Sequence, residues 1–344
     1  MDNKHYQAFA NATTPPELSS LASEGYASSG SASENQLPTV PGAAWFHSVA
    51  SELHNAILAL GVTPDHLQIN QLATGLTNLI GQINQLTFFN LCPSGAPQHN
   101  ALYRGNNITS LFTSGKFSEN VANGTFDDIF PGDYIELPVT ISGTTYYAKW
   151  IVGECDYALH YGDTELTEHH VLVFPDIQLG TSYMNSANTT ANGYKGSYMH
   201  NTKMPAVRAG IKNAFGASHV CSFREYLTKT VNTSIASMAG NGLTGASSDG
   251  EWTTVEACDI MTESMVYGSK MSSGYVDRIN FPKIISAFNH NSSLRHTDLA
   301  GNRYWYWLHD VVSSADFAAV GGDGGATYNG ASGVGGVRPF CLIK

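Results

Sequence analysis

"RYWYWLHDVV" (Arg303–Val312) and "GVRPFCLI" (Gly336–Ile343) are two apolar, ring-rich runs near the end of the chain. The second is preceded by "GGDGGATYNGASGVGG" (Gly321–Gly336), in which eight of sixteen residues are glycine. Successive side chains of a strand point to opposite faces. Trp305 and Trp307 therefore share one face of the first run, and Tyr304 and Tyr306 share the other. The expectation is that the tryptophans fill a core and the tyrosines face a cleft or the surface, since tyrosine is large, rigid and amphipathic. Arg338 interrupts the closing strand, and a buried arginine needs an acceptor. Asp310 is the expected partner, and the pair would staple both ends of the glycine-rich stretch. That stretch then reads as a loop held by stiff neighbours and tolerant of its own content.

Working outward, "YIELPVTISGTTYYAKWIVGEC" (134–155) predicts a β-hairpin turning at Ser142-Gly143. "HHVLVFPD" (169–176) predicts a buried strand. "MPAVRAGIKNAFG" (204–216) places Val207, Ile211 and Phe215 on one helical face with Gly216 at its end. "FREYLTKTV" (223–231) is expected to form a short helix or turn, and residues 232–250 a loop. Short mixed strands with few helices indicate one α+β domain over residues 91–344.

Residues 1–42 are rich in Ser, Ala, Pro and Gly without apolar periodicity and read as an arm or linker. Residues 43–90 read as a helical module. Phe46, Val49, Leu53, Ile57 and Leu60 mark one face of a first helix ended by Gly61. Thr63 and Pro64 are expected to open a second. In it Ile69, Leu72, Leu76, Leu79, Ile83 and Leu86 alternate spacings of three and four, the seam of a coiled coil. An intramolecular helical hairpin fits the same pattern.

Composition narrows the function classes. Seventeen Lys and Arg against 28 Asp and Glu give a net charge of −11, and no basic run is present to track phosphates. No stretch approaches the ~20 apolar residues of a membrane-spanning helix. The opening "MDNKHYQAFA" lacks the basic and apolar regions of a secretory signal. Charged residues are only 13% of the chain, so Ser, Thr, Asn and Gly must build much of the surface.

No nucleophile elbow, metalloprotease helix or phosphate-binding loop occurs. His169 and His170 are adjacent, so in a strand they point apart and one ion cannot easily take both. Asp127, Asp128, Asp156 and Asp163 read as turn carboxylates rather than a catalytic pair. The five cysteines (92, 155, 221, 258 and 341) form no CxxC pair and are expected to be reduced, buried thiols. These readings predict no catalytic residue, no metal and no cofactor.

The closing segment "YWYWLHDVVSSADFAAV…GVRPFCLI" resembles the C-terminus of retroelement-diversified, C-type-lectin-like variable proteins carried on phage tails. "HHVLVFPD…LGTSYMN", "TTANGYKGSYM" and "MPAVRAGIKNAFG" follow that family's order, as does the earlier "LYRGNNITSLF…NGTFDDIFPGDYI". "LPTVPGAAWFHSVASELHNAIL…GVTPD" resembles the N-terminal module of tail-fibre-like proteins. The resemblance implies a C-type lectin-like fold of the formylglycine-generating-enzyme type, displayed as a homotrimer on the virion. It implies a variable surface that grips a host cell-surface receptor, protein or glycan, with other tail proteins held through the N-terminal region.

Diversification at adenines of asparagine codons ending in C or T never yields Glu, Gln, Lys, Met or Trp, and none of these occurs from His309 to Ile343. The exchangeable positions implied are Asp316, Ala319, Gly321, Gly322, Asp323, Gly325, Thr327, Asn329, Gly330, Gly333 and Gly335. Tyr304, Tyr306 and Tyr328 supply the rings. No EPN, QPN or WND signature of calcium-dependent sugar binding is present, so no sugar-site calcium is expected. Two alternatives are a structural particle protein with a lectin-like decoration domain and an enzyme on the same fold.

Overall fold

The computed structural model describes residues 29–33, 43–65, 67–91, 95–231, 248–273, 281, 283–290 and 296–344. Side chains at 44, 84–91, 248 and 249 are outside that description, as is most of the expected arm. The chain divides into two compact units, within residues 1–91 and 92–344.

The first unit carries helices α1 (Ala43–Ala59) and α2 (Gln71–Leu91). Gly61 follows α1 with φ 74°, a left-handed value that glycine adopts without steric cost. Thr63 and Pro64 do not start the second helix as expected. Asp65 Oδ1 accepts from Leu67 N at 2.9 Å, turning the backbone locally, and Gln71 donates to the carbonyls of Asp65 and Gln68. Ile69 therefore stands before α2, fully exposed. Leu72, Leu76, Leu79 and Ile83 lie on the helix with 36%, 46%, 39% and 49% of their surface exposed. The last seam position, Leu86, lies outside the described side chains.

The second unit is mixed α+β. One five-stranded sheet contains β1 (Tyr134–Ile141), β2 (Thr144–Cys155), β3 (Val171–Pro175), β7 (Cys258–Ile260) and β14 (Pro339–Ile343). Its order is β1-β2-β3-β14-β7, antiparallel throughout. The β1–β2 hairpin turns at Ser142 and Gly143, both at positive φ, as a tight two-residue turn requires. A second sheet contains β4 (Thr181–Ser182), β10 (Tyr306–Val311), β11 (Asp316–Val320), β12 (Ala326–Gly330) and β13 (Gly335–Gly336). Its order is β12-β11-β10-β13-β4. Short strands β8 (His296–Thr297) and β9 (Arg303–Tyr304) pair beside it.

The central strands of both sheets are covered on both faces. Val173, Trp307, Phe317 and Cys341 belong to one buried cluster, and their strand neighbours Leu172, Leu308, Ala318 and Leu342 belong to another. That is why "VLVFP" and "PFCLI" read as unbroken apolar runs. Helix α3 (Met204–Phe215) presents Val207, Ile211 and Phe215 to the first cluster, with Phe215 edge-on to Trp150 at 5.0 Å. Gly210 lets it approach β1: a Cβ there would stand 2.7 Å from the Thr140 carbonyl oxygen.

The expected helix or turn at 223–231 is instead strand β5 (Ser222–Val231), paired with β6 (Ser248–Glu256). Phe223, Glu225 and Leu227 alternate inward, and Thr228, Thr230 and Val231 favour the pleated backbone. Residues 248–250 of the expected loop stand in β6; the rest lies outside the described residues.

Arg338 is fully buried, but Asp310 is not its partner. Its Nε donates to the Pro175 carbonyl at 2.9 Å and its NH1 to the Tyr306 hydroxyl at 3.3 Å. The guanidinium lies 4.8 Å from the Phe174 ring centroid. Asp310 accepts instead from Lys270 Nζ and Glu263 N, each at 2.6 Å. A lysine 40 residues before Asp310 reaches it, whereas β3 and β10 supply the acceptors of Arg338.

His296 of β8 is also buried, edge-on to Tyr306 at 4.6 Å. Burial first, and then the Arg338 charge, push its imidazole from 6.5 down to about 3. The folded state thus favours the neutral ring. Its contribution to stability is intact above the unfolded value of 6.5 and is lost as pH falls toward about 3. The expected cost is about 1.4 kcal/mol per pH unit inside that window. Guanidinium denaturation at pH 7 and pH 4.5 checks this: His296→Leu should shrink the difference in unfolding free energy between the two.

Candidate functional site

The meander β10–β11–β12 carries the glycine-rich stretch. β12 is the edge strand, with Phe317 opposite Asn329, Ala318 opposite Tyr328 and Ala319 opposite Thr327. Phe317, Ala318 and Ala319 are buried, whereas Thr327, Tyr328 and Asn329 are exposed, so the sheet extends past the core it covers. Alternation sends Tyr328 to one face of β12 and Thr327 and Asn329 to the other.

The hairpin tip is ordered by its own backbone. Gly321 N donates to the Gly325 carbonyl at 2.7 Å, Gly324 N to the Gly321 carbonyl at 2.8 Å, and Gly325 N to Asp323 Oδ1 at 2.9 Å. Gly324 has φ 92° and is fixed as glycine by that turn. A Cβ on Gly322 would meet only ordinary contacts, the nearest at 3.6 Å. The following loop is tied to the segment after β4. The Ala331 carbonyl accepts from Met184 N and Asn185 N, and Asn188 Oδ1 accepts from both Ser332 N and Ser332 Oγ.

The structure thus divides the expected surface. Asp323, Gly325, Thr327, Tyr328 and Asn329 are exposed; Tyr304, Gly321, Gly322, Gly330 and Gly333 are half-buried at its margin. Asp316 is also half-buried, and its carboxylate accepts from the Ser313 hydroxyl in the β10–β11 turn. Three positions are corrected. Tyr306 is buried because its face of β10 meets the second cluster and its hydroxyl serves Arg338. Ala319 is buried in the first cluster. Gly335 lies under Trp305, where a Cβ would come within 2.4 Å of the indole.

Trp305 and Trp307 do share a face, 4.8 Å apart edge-to-face, and Trp307 Nε1 donates to the Ser182 carbonyl at 2.8 Å. Two surface rings escaped the sequence reading. Tyr183 and Tyr198 lie 4.6 Å apart beside the 330–334 loop. Their motifs are visible in the sequence, but only the pairing of Gly335 with Ser182 brings Tyr183 to this edge.

Elsewhere Asp128, Asp156, Asp163, His169 and His170 are occupied structurally. Arg104 binds Asp128 and Asp133, Arg224 binds Asp163, and His169 Nδ1 is 2.7 Å from Asp156. His170 is buried, with Nε2 accepting from Ala158 N and Nδ1 2.9 Å from the Glu168 carbonyl. Among the described residues no His, Cys, Asp or Glu group is arranged to hold a metal. Cys155, Cys221, Cys258 and Cys341 are free and buried, and burial raises all four thiols, Cys221 up to about 12. Cys92 lies outside the described residues.

No family model, curated protein or solved structure matches this chain.

Gly335→Ala should cost about 1–3 kcal/mol by overpacking against Trp305. Thr327→Ala should stay within about 0.5 kcal/mol. Chemical denaturation of both variants checks the division between framework and exchangeable positions.

Proposed function

We propose that this chain is a phage-tail receptor-binding protein. Its second unit is a C-type lectin-like domain whose exposed β12 strand and adjoining loops contact the host cell surface. The observation that carries this reading is the contrast within residues 316–336. Exposed side chains of varied chemistry stand on a backbone hydrogen-bonded to buried strands on one side and to the 184–188 segment on the other. Binding groups on loops over a stiff scaffold form a surface whose content can change without changing the fold. The mode of action is adhesion without covalent chemistry. Four buried thiols with raised pKa values supply no accessible thiolate, the reactive form of cysteine.

Fluorescently labelled full chain, applied to a panel of gut bacterial isolates, should bind at least one and slow phage adsorption to it. Replacing Thr327, Tyr328 and Asn329 together with alanine should lower that binding by at least about tenfold, or about 1.4 kcal/mol. Prior iodoacetamide treatment of the native protein should leave it unchanged. Absence of binding across the panel, or indifference to the triple substitution, would falsify the reading.

The helical unit supplies copies. Leu72, Leu76, Leu79 and Ile83 leave an apolar stripe in solvent, and a homotrimer seam would cover it. Joined weak sites gain ~10²–10⁴ in avidity when they engage together. The N-terminal region would hold the other tail proteins. Light scattering should return three times the 36.9 kDa of one chain, and Leu76→Asp with Leu79→Asp should return one.

A further inference from the structure

We infer, on the adhesion reading above, that the surface around the 330–334 loop, where Tyr183, Tyr198, Val334, Asn188 and Asn329 lie, binds a neutral, hydroxyl-rich glycan without a metal ion. Ser182 pairs with Gly335, and Tyr183 and Val334 follow that pair along their two strands. Val334 is 52% exposed, and its carbonyl accepts from the Tyr304 hydroxyl at 3.4 Å. Tyr198 lies against Tyr183 with ring planes tilted by 39°, and its backbone N–H donates to Asn185 Oδ1 at 3.0 Å. Asn185 Nδ2 in turn donates to the Thr189 carbonyl, so the turn presenting the rings is braced internally. The tyrosine pair is positioned before any ligand arrives.

The two exposed asparagines add polar groups of one kind. Asn188 Oδ1 is spent on Ser332 and Asn329 Oδ1 on Gly330 N. Both residues are exposed, and among the described residues neither Nδ2 has an acceptor. A pyranose ring offers what this surface lacks: a C–H face that lies against an aromatic ring, and hydroxyl oxygens that accept from amide N–H groups.

Charge narrows the ligand further. None of the five side chains is ionised, so an anionic polymer would find no Lys or Arg among them, and no carboxylate stands among them to share a calcium ion. The apolar part is one valine and two tyrosine rings, small against the ~800 Å² per partner of a standard protein interface. A neutral saccharide is the class that fits.

The test uses the full chain on columns of mannan, galactan and glucan, with heparin and albumin columns as controls. At least one of the three neutral polysaccharides should retain the protein, equally well in EDTA, and the controls should not. Tyr198→Ala and Asn188→Ala should each weaken retention by about tenfold. Tyr147→Ala, at an 81% exposed position on β2 in the other sheet, should not. Thermal melting verifies that each variant is folded.

Retention by none of the three, its loss in EDTA, or indifference to both Tyr198→Ala and Asn188→Ala overturns the assignment. Binding to whole cells separates the two levels. If it survives periodate oxidation of the cell surface but not protease, the glycan is wrong and adhesion stands. If the chain binds no cells at all, adhesion itself is wrong.

Discussion

A guanidinium removed from water must have its N–H groups answered by the protein, and at Arg338 that demand joins the two sheets of the second unit. One acceptor is the carbonyl of Pro175, the last residue of β3; another is the hydroxyl of Tyr306, the first residue of β10. Phe174 and Tyr306 offer ring faces to the cation at 4.8 and 5.1 Å. Because Arg338 lies between β13 and β14, these contacts fix where the chain leaves one sheet and enters the other. Lysine, a point charge without the planar fork, would not reproduce both directed bonds.

The same arrangement explains what the sequence disclosed and what it concealed. Locally coded elements were legible. The Ser142-Gly143 hairpin, the buried "VLVFP" strand and the Val207–Ile211–Phe215 face depend on turn chemistry and on periodicities of two and 3.6 residues. Alternation along "RYWYWLHDVV" set Trp305 beside Trp307, but the strand breaks at Trp305, whose ring stacks beside Tyr304, and alternation does not say what covers each face. Tyr306 meets His296 and belongs to a cluster that includes Val266 and Phe288, which no short-range pattern links to it. The Asp310 partner was misjudged for a related reason: Lys270 arrives from a segment 40 residues away in sequence.

In the candidate site, residue type proved a poor guide to role. Gly322 and Gly335 belong to one glycine-rich run and look interchangeable on paper. The first has room for a side chain, and the second exists so that Trp305 can lie flat on the backbone. Tyr183 and Tyr198 show the opposite failure, being ordinary tyrosines in turns until strand pairing sets them beside the C-terminal loop. Which side chains reach solvent here depends on which backbone positions the packed strands leave open, a property of the assembled sheet.

Tyr306 pairs in parallel with Gly336, and Gly336 N donates to the Trp305 carbonyl at 3.0 Å. The excursion between them therefore leaves from and returns to the same point of the framework. Once the ends of such a span are clamped, its closure entropy grows only with the logarithm of its length, and each doubling costs about 0.6 kcal/mol. Insertions at the Gly321–Gly325 hairpin tip thus draw little on the stability of the strands beneath. The scaffold can accept a longer or transplanted segment there as readily as a new side chain.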